Sequence, residues 1–289
     1  MKKYPLDTNP AFPLRSAGLS ASQLKALRSL KLKKGRSEQG RFLIEGAHLC
    51  AEALQSGHHP LLLLYTRSGF LSQEIKSTVV RAQKSGIPNL RISDSTMKSL
   101  ADARTPQGIM AVMIKPASAD APGPGNIFVL LDQVRDPGNV GTIIRTADAA
   151  GADGVYLTAG SVDLYNPKVL RSTQGSIFHI PVTAEVNPAS RVDAFKKGGY
   201  QMLVAEPRAG RCYTQVRYPD RFVLVAGNET HGVCQEIIGR ADQLIRVPIR
   251  GRAESLNVAM ACGVILYEAL RQRTERAGPK ATGSRRQPS

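Results

Sequence analysis

From residue 126 onward short apolar runs rich in valine, isoleucine and leucine alternate with helical stretches. The runs fall at 127–134, 154–157, 201–205, 222–226 and 244–247. Strands that are apolar along their whole length, rather than at alternate positions, are buried on both faces, and strands separated by helices are joined by crossovers. Both features constrain this region to a mostly parallel sheet covered by helices. Open sheets of this kind bind ligands beyond the carboxyl ends of their strands, so the residues that follow each run are where chemistry is expected.

Three of these segments carry polar residues that packing does not require. The run 127–134 leads through Arg135-Asp136-Pro137-Gly138 to Asn139. Val140, Ile143, Ile144 and Ala147 then fall at i, i+3, i+4 and i+7, the pattern of one helix face, with Asn139 suited to the N-cap and Gly151 to the C-terminal cap. Arg145 sits beside that stripe as a boundary residue or a functional one. The run 222–226 stops at Gly227-Asn228-Glu229-Thr230-His231-Gly232, where Gly227 lets backbone approach a ligand and Glu229 suits the start of a helix. The third segment, 251–261, places Ser255 and Asn257 at the head of a helix that is apolar on nearly every side. Ser255 suits its N-cap. A helix of that composition is expected to be buried, and an unpaired buried amide costs about 1–3 kcal/mol, so Asn257 should bond either to backbone or to a ligand.

In this order the three segments, with Val247-Pro248-Ile249 leading into the last, resemble the SpoU (TrmH) family of RNA ribose 2′-O-methyltransferases, within the SPOUT class. Residues 166–176 are similar to the stretch between the first two motifs in bacterial rRNA-modifying members, and 40–46 with 105–108 are similar to their substrate-binding domain. The resemblance implies an α/β chain with an N-terminal domain like the ribosomal L30e and L7Ae proteins. It also implies a C-terminal SPOUT domain with a trefoil knot, which periodicity does not announce. The implied reaction is S-adenosylmethionine-dependent methylation of a ribose 2′-hydroxyl in RNA, with 23S rRNA as the expected substrate. A tRNA substrate and a non-catalytic RNA-binding assembly factor are the alternatives.

The implied catalytic residues are Asn139, Arg145, Glu229, Ser255 and Asn257. The implied cofactor residues are Gly227, Val247, Ile249 and Leu256, acting largely through backbone groups. A homodimer formed by helices near the knot is also implied. A guanidinium with a pKa above about 12 is not a base, so Arg145 is expected to hold phosphate and stabilise a developing alkoxide. One departure stands out. Thr230 occupies a place where many relatives carry glycine, and a β-branched residue disfavours φ > 0, which predicts a slightly reshaped loop. No G-x-G-x-x-G element with a downstream acid supports a Rossmann reading.

The formal net charge of +16, from 39 Lys and Arg against 23 Asp and Glu, favours a polyanionic partner. Basic residues cluster at 25–41 and 271–286, and Lys33, Lys34, Arg36, Arg41, Arg135 and Arg171 are the expected RNA contacts. The domain plan is an arm at 1–19, an RNA-binding α/β domain at 20–116, a linker at 117–125, the methyltransferase domain at 126–274 and a basic tail at 275–289. In the amphipathic stretch 24–34, Leu24, Leu27 and Leu30 are expected to pack on the domain rather than enter a membrane. The apolar run 61–65 is far short of the ~20 residues a spanning helix needs, and 1–10 lacks a signal-peptide core, so a cytoplasmic protein is expected. Cys50, Cys212, Cys234 and Cys262 form no C-x-x-C pair, and no metal site is expected.

Overall fold

The computed structural model describes residues 18–116 and 123–277. Most of the expected arm, linker and basic tail lies outside the described residues. The chain divides between Pro116 and Ala117 into two compact units.

The first unit runs α1 (Ala21–Ser29), α2 (Lys33–Gln39), β1 (Arg41–Glu45), α3 (Ala47–Gln55), β2 (Leu62–Thr66), α4 (Gln73–Lys84), β3 (Asn89–Ile92), α5 (Asp94–Leu100) and β4 (Ile109–Ile114). Its sheet has the order β1-β4-β2-β3, with β4 antiparallel to both neighbours and β3 parallel to β2. The basic stretch 24–34 is not one helix, because α1 ends at its cap Leu30 and α2 opens at Lys33. Leu27 and Leu30 are fully buried against Leu62, Met97, Leu100 and Met110, so its apolar stripe serves packing.

Arg36 corrects an expectation. It is buried, and its Nη1 donates to the carbonyls of Leu30 and Lys31, each at 2.8 Å. The carbonyl of a helix cap has no partner within the helix, and Arg36 takes that of the α1 cap Leu30 together with that of Lys31 just beyond it. Its guanidinium therefore ties α2 back to the turn that follows α1 and is not displayed on the surface.

The second unit runs β5 (Ile127–Asp132), α6 (Pro137–Ala149), β6 (Gly154–Thr158), α7 (Pro167–Ser172), β7 (Val182–Val186), α8 (Pro188–Lys197), β8 (Gln201–Ala205), β9 (Arg211–Cys212), β10 (Phe222–Gly227), α9 (Gln235–Ile238), β11 (Gln243–Arg246) and α10 (Val258–Ala277). The sheet order is β7-β6-β5-β10-β8-β11-β9, and every pairing is parallel. All five apolar runs read from the sequence are strands of this sheet. Parallel pairing places the carboxyl ends of β5, β10, β8 and β11 along one edge, with Gly227 level with Asp132. Segment 166–176 forms α7 against α6. A Cβ on Gly141 would lie 2.4 Å from the Ser172 side chain, so glycine permits that approach. Among the described residues no helix is long and apolar enough to cross a membrane.

Candidate active site

The site begins with a buried acid. Asp132, the last residue of β5, is 2% exposed and accepts from the Thr158 hydroxyl at 3.0 Å and from the Cys234 backbone N–H at 2.8 Å. It thus pins the end of β5 to β6 and to the segment after β10. Gln133 follows at φ 53, and its carbonyl accepts from Asn228 Nδ2 at 2.9 Å. The sequence offered one signal for this anchor, a carboxylate inside an otherwise apolar run.

Helix α6 is capped by Asp136, whose side chain accepts from the Asn139 N–H at 2.8 Å. Asn139 is therefore not the N-cap expected from the sequence. Pro137 is pre-organised for the first helical position, which moves the cap back to Asp136. The shift frees the Asn139 side chain. Its Nδ2 donates to Glu229 Oε1 at 2.8 Å, and its Oδ1 accepts from Asn257 Nδ2 at 2.9 Å.

Asn257 also takes the capping role expected of Ser255. Helix α10 starts at Val258, and Asn257 Oδ1 accepts from the N–H groups of Ala259 at 2.9 Å and Met260 at 3.3 Å. Asn257 is exposed rather than buried, so its amide is satisfied by backbone and by Asn139 at the surface. These contacts fix which way both amides face. Because Asn257 Oδ1 takes two backbone donors, its nitrogen must donate to Asn139 Oδ1, and Asn139 must then donate to the Glu229 carboxylate.

The loop after β10 is closed by Asn228, which the sequence reading passed over. Asn228 and Gly232 exchange backbone hydrogen bonds at 3.0 and 2.9 Å. The Asn228 side chain accepts from the N–H groups of Thr230 at 2.8 Å and His231 at 3.1 Å. The left-handed position is Gly232, at φ +68, and Thr230 is not among the positive-φ residues. The expected distortion at Thr230 is therefore not needed. A Cβ on Gly227 would lie 2.2 Å from the Gly232 carbonyl carbon, so glycine is demanded there by the loop folding back on its own strand.

Beyond the ends of β8, β10 and β11 lies a cavity of about 770 Å³. That size is usual for a cofactor site. Gly227, Val247, Ile249 and Leu256 all line it, as do Glu229, Ser255 and Asn257. Asn139 is joined to two of these by its side chain. Arg145 does not line the cavity. It is exposed on α6, about 9 Å farther along the axis than Asn139, and has no hydrogen-bond or ion-pair partner among the described residues. Ile238, Leu244, Val247 and Ile249 supply apolar wall, while Glu206, Glu229, Glu254, Arg208 and Arg246 bring both signs of charge. This lining suits a ligand that joins a flat apolar ring to charged groups, as an adenosyl amino acid does.

Residues 126–267 match the SpoU rRNA Methylase family and residues 21–111 match the MRM3-like substrate binding domain. A 23S rRNA (guanosine(2553)-2′-O)-methyltransferase of Bacillus subtilis is 37% identical over 245 residues, covering 85% of this chain and 94% of that protein. The chain belongs to the SpoU rRNA methylase family. A second relative, the 23S rRNA (uridine(2479)-2′-O)-methyltransferase of Streptomyces viridochromogenes, is 33% identical over 82% of this chain and 85% of its own length. Among solved structures, an AdoMet-bound rRNA methyltransferase from Sinorhizobium meliloti superposes with a TM-score of 0.76 at 33% identity, over 86% of this chain and 94% of that one.

The basic residues expected at RNA are spread over both units of this SpoU family member. Lys33 and Lys34 are exposed, with Lys34 3.9 Å from Glu38. Arg41 is half-buried, and burial pushes its pKa below the usual arginine value. In the second unit Arg135 is exposed beside Gln133, and Arg171 is half-buried at the end of α7.

Proposed function

We propose that this chain transfers the methyl group of S-adenosylmethionine to a ribose 2′-hydroxyl of RNA, with 23S rRNA as substrate, in the cytoplasm. The observation that carries the reading is the hydrogen-bonded chain Asn257–Asn139–Glu229 at the edge of the adenosyl-sized cavity. Two relatives that methylate 23S rRNA at 2′-hydroxyls support the choice of substrate. In this reading the second unit also carries the trefoil knot that the family resemblance implies.

Gly227, Val247, Ile249 and Leu256 would hold the cofactor. When bound, it supplies an electrophilic methyl on a sulfonium. The chain's own part is to orient the hydroxyl in line and to stabilise it as it loses its proton, and positioning of this kind accounts for several kcal/mol of acceleration. Arg145, exposed and without a hydrogen-bond or ion-pair partner among the described residues, is free to hold a substrate phosphate, which in turn would fix its guanidinium as a donor to the developing alkoxide. Asn139 holds one oxygen of Glu229. The other, Oε2, has no partner among the described residues, which leaves it open to accept a proton, as a phosphate oxygen or water would be. Ser255 and Asn257 position the ribose from the cavity wall. The exposed residues Met260 and Tyr267, with Val264 between them, form an unburied apolar strip on α10, which supports a homodimer through that helix.

Calorimetric titration and methylation of rRNA transcripts test this reading. The wild-type protein should bind S-adenosylmethionine, and 2′-O-methylation mapping of cells that lack it should reveal one missing rRNA modification. Arg145→Lys should keep that affinity while turnover falls by roughly 10²-fold, the loss expected for one preorganised donor. Unchanged turnover in Arg145→Lys would reduce Arg145 to a helix-boundary residue. A missing tRNA modification would move the substrate.

A further inference from the structure

The cavity contains a carboxylate for which the methyl transfer as described has no use. Glu206 follows directly on β8, and its backbone N–H donates to the Ile245 carbonyl at 2.9 Å, which holds it beside the end of β11. Its own carbonyl accepts from Ala209 N–H at 3.0 Å, and its Oε1 accepts from Arg208 N–H at 3.2 Å. Three bonds therefore fix both the turn and the side chain. Oε2 has no partner among the described residues. It points toward the loop after β10, 3.9 Å from where a Cβ on Gly232 would stand.

A carboxylate has only acceptor sites to offer, so its natural complement is a donor or a cation. The chain running on from β11 supplies Val247 and Ile249, the apolar wall that suits an adenine ring. Glu206 lies beside the end of that strand, and the ribose is the group directly attached to the ring. It presents two adjacent hydroxyl donors that one carboxylate accepts together. Glu206 also stands on a different strand end from Asn139, the middle of the hydrogen-bonded chain. In the sheet order β5-β10-β8, β10 lies between β8 and the strand that leads to Asn139, which separates the two strands by about 10 Å. Parallel α/β sheets that bind dinucleotides place an acid on a ribose in the same chemical role, although their loops are unrelated to these.

We propose that Glu206 accepts hydrogen bonds from the ribose diol of the cofactor's adenosine and sets the pocket's preference for a ribonucleoside. The proposal rests on the reading of the cavity as the S-adenosylmethionine site. Because the side chain is already held by Arg208, little ordering accompanies the contact. The zwitterionic end of the cofactor is the competing partner, since its ammonium would also satisfy Oε2.

Three probes separate these possibilities by calorimetry on the full chain: S-adenosylhomocysteine, 5′-methylthioadenosine, which lacks the amino-acid end, and the 2′-deoxy form of 5′-methylthioadenosine. Glu206→Ala should weaken the first two by the same factor, about tenfold for a lost hydrogen bond to a charged group. The 2′-deoxy probe should bind the wild-type protein about tenfold more weakly than its parent, yet bind Glu206→Ala no more weakly than the parent does. Glu206→Gln, which preserves the shape of the turn, should show the same pattern with smaller losses, and thermal unfolding of both variants reports on folding. Weakened S-adenosylhomocysteine with unchanged 5′-methylthioadenosine would assign the carboxylate to the ammonium and overturn the proposal. So would unchanged binding of all three probes, which would leave Glu206 as a turn residue. A wild-type protein that binds none of the three would remove the cofactor reading itself, a result distinct from either of these.

Discussion

Asn139 joins segments 90 and 118 residues away through the two ends of one amide. The sequence marked Asn139, Glu229 and Asn257 separately, each as a polar residue at the end of an apolar element. That they form a chain was not legible, because Pro137 had first to fix the helix start and hand the cap to Asp136. Asn139→Asp tests the chain while sparing the helix. An acid at the third helical position interacts favourably with the helix N-terminus, so the melting temperature should hold or rise slightly. The same change removes the donor to Glu229 and sets two carboxylates at hydrogen-bond distance, where they resist being ionised together. Turnover should fall by about 10²-fold at pH 8 and recover in part as the pH drops and the pair shares a proton. Asn139→Ala, which has no second carboxylate, should lose turnover without that acid-side recovery. Identical pH–rate profiles for the two variants would show that the contact with Glu229 has no role in the reaction.

The central strands were legible as elements because burial on both faces leaves no polar alternation to interpret. Edge elements were not. Strand β7 carries Thr183 and a left-handed Glu185 on a half-exposed, bulged edge, and β9 is two residues long. Helix α10 read as apolar all round, yet only Ala259, Cys262, Ile265, Leu266 and Ala269 and its first residue are buried. Its far half is fastened by polar contacts instead. Gln272 accepts from the Tyr218 N–H at 3.1 Å and donates to the Val216 carbonyl at 2.9 Å and to Glu268 at 2.8 Å. Arg271 grips the same carboxylate with two bonds, at 2.7 and 2.8 Å. The hydrogen bond from Arg271, followed by that from Gln272, holds the Glu268 carboxyl down at about 2. A pKa depressed by folding adds stability above the ordinary carboxylate range, and that stability is lost as pH falls through the folded value. The gap in urea midpoint between wild type and Glu268→Gln should therefore be full at pH 7 and close progressively from pH 4.5 toward 2. A gap that stays constant across that range would place the effect of the substitution in packing.

At the scale of the whole molecule, composition indicated a polyanionic partner but overstated the surface charge available to it, since Arg36 is consumed inside the first unit as a helix staple. The proposed self-association was read from the family resemblance and from the apolar composition of 255–273, and the strip on α10 supports it. Met260 is 61% exposed and Tyr267 50% exposed, two helical turns apart on the side opposite the buried residues. Large apolar side chains aligned on one helix face are costly to leave in water, at roughly 25 cal/mol for each Å² that could be buried. A two-fold contact would cover the strip with its own copy, and a charge placed at its centre would be buried unpaired on both sides. Light scattering at micromolar concentration should give twice the 31.2 kDa chain mass for the wild-type protein. Tyr267→Glu combined with Met260→Glu should give a single chain mass without loss of secondary structure. The cofactor residues Gly227, Val247, Ile249 and Leu256 lie outside the strip, so the monomeric variant should still bind S-adenosylmethionine, within about tenfold of wild type. A wild-type protein that runs as a monomer would leave the strip without the occupant proposed for it. A double variant that stays dimeric would move the contact to another surface of the chain.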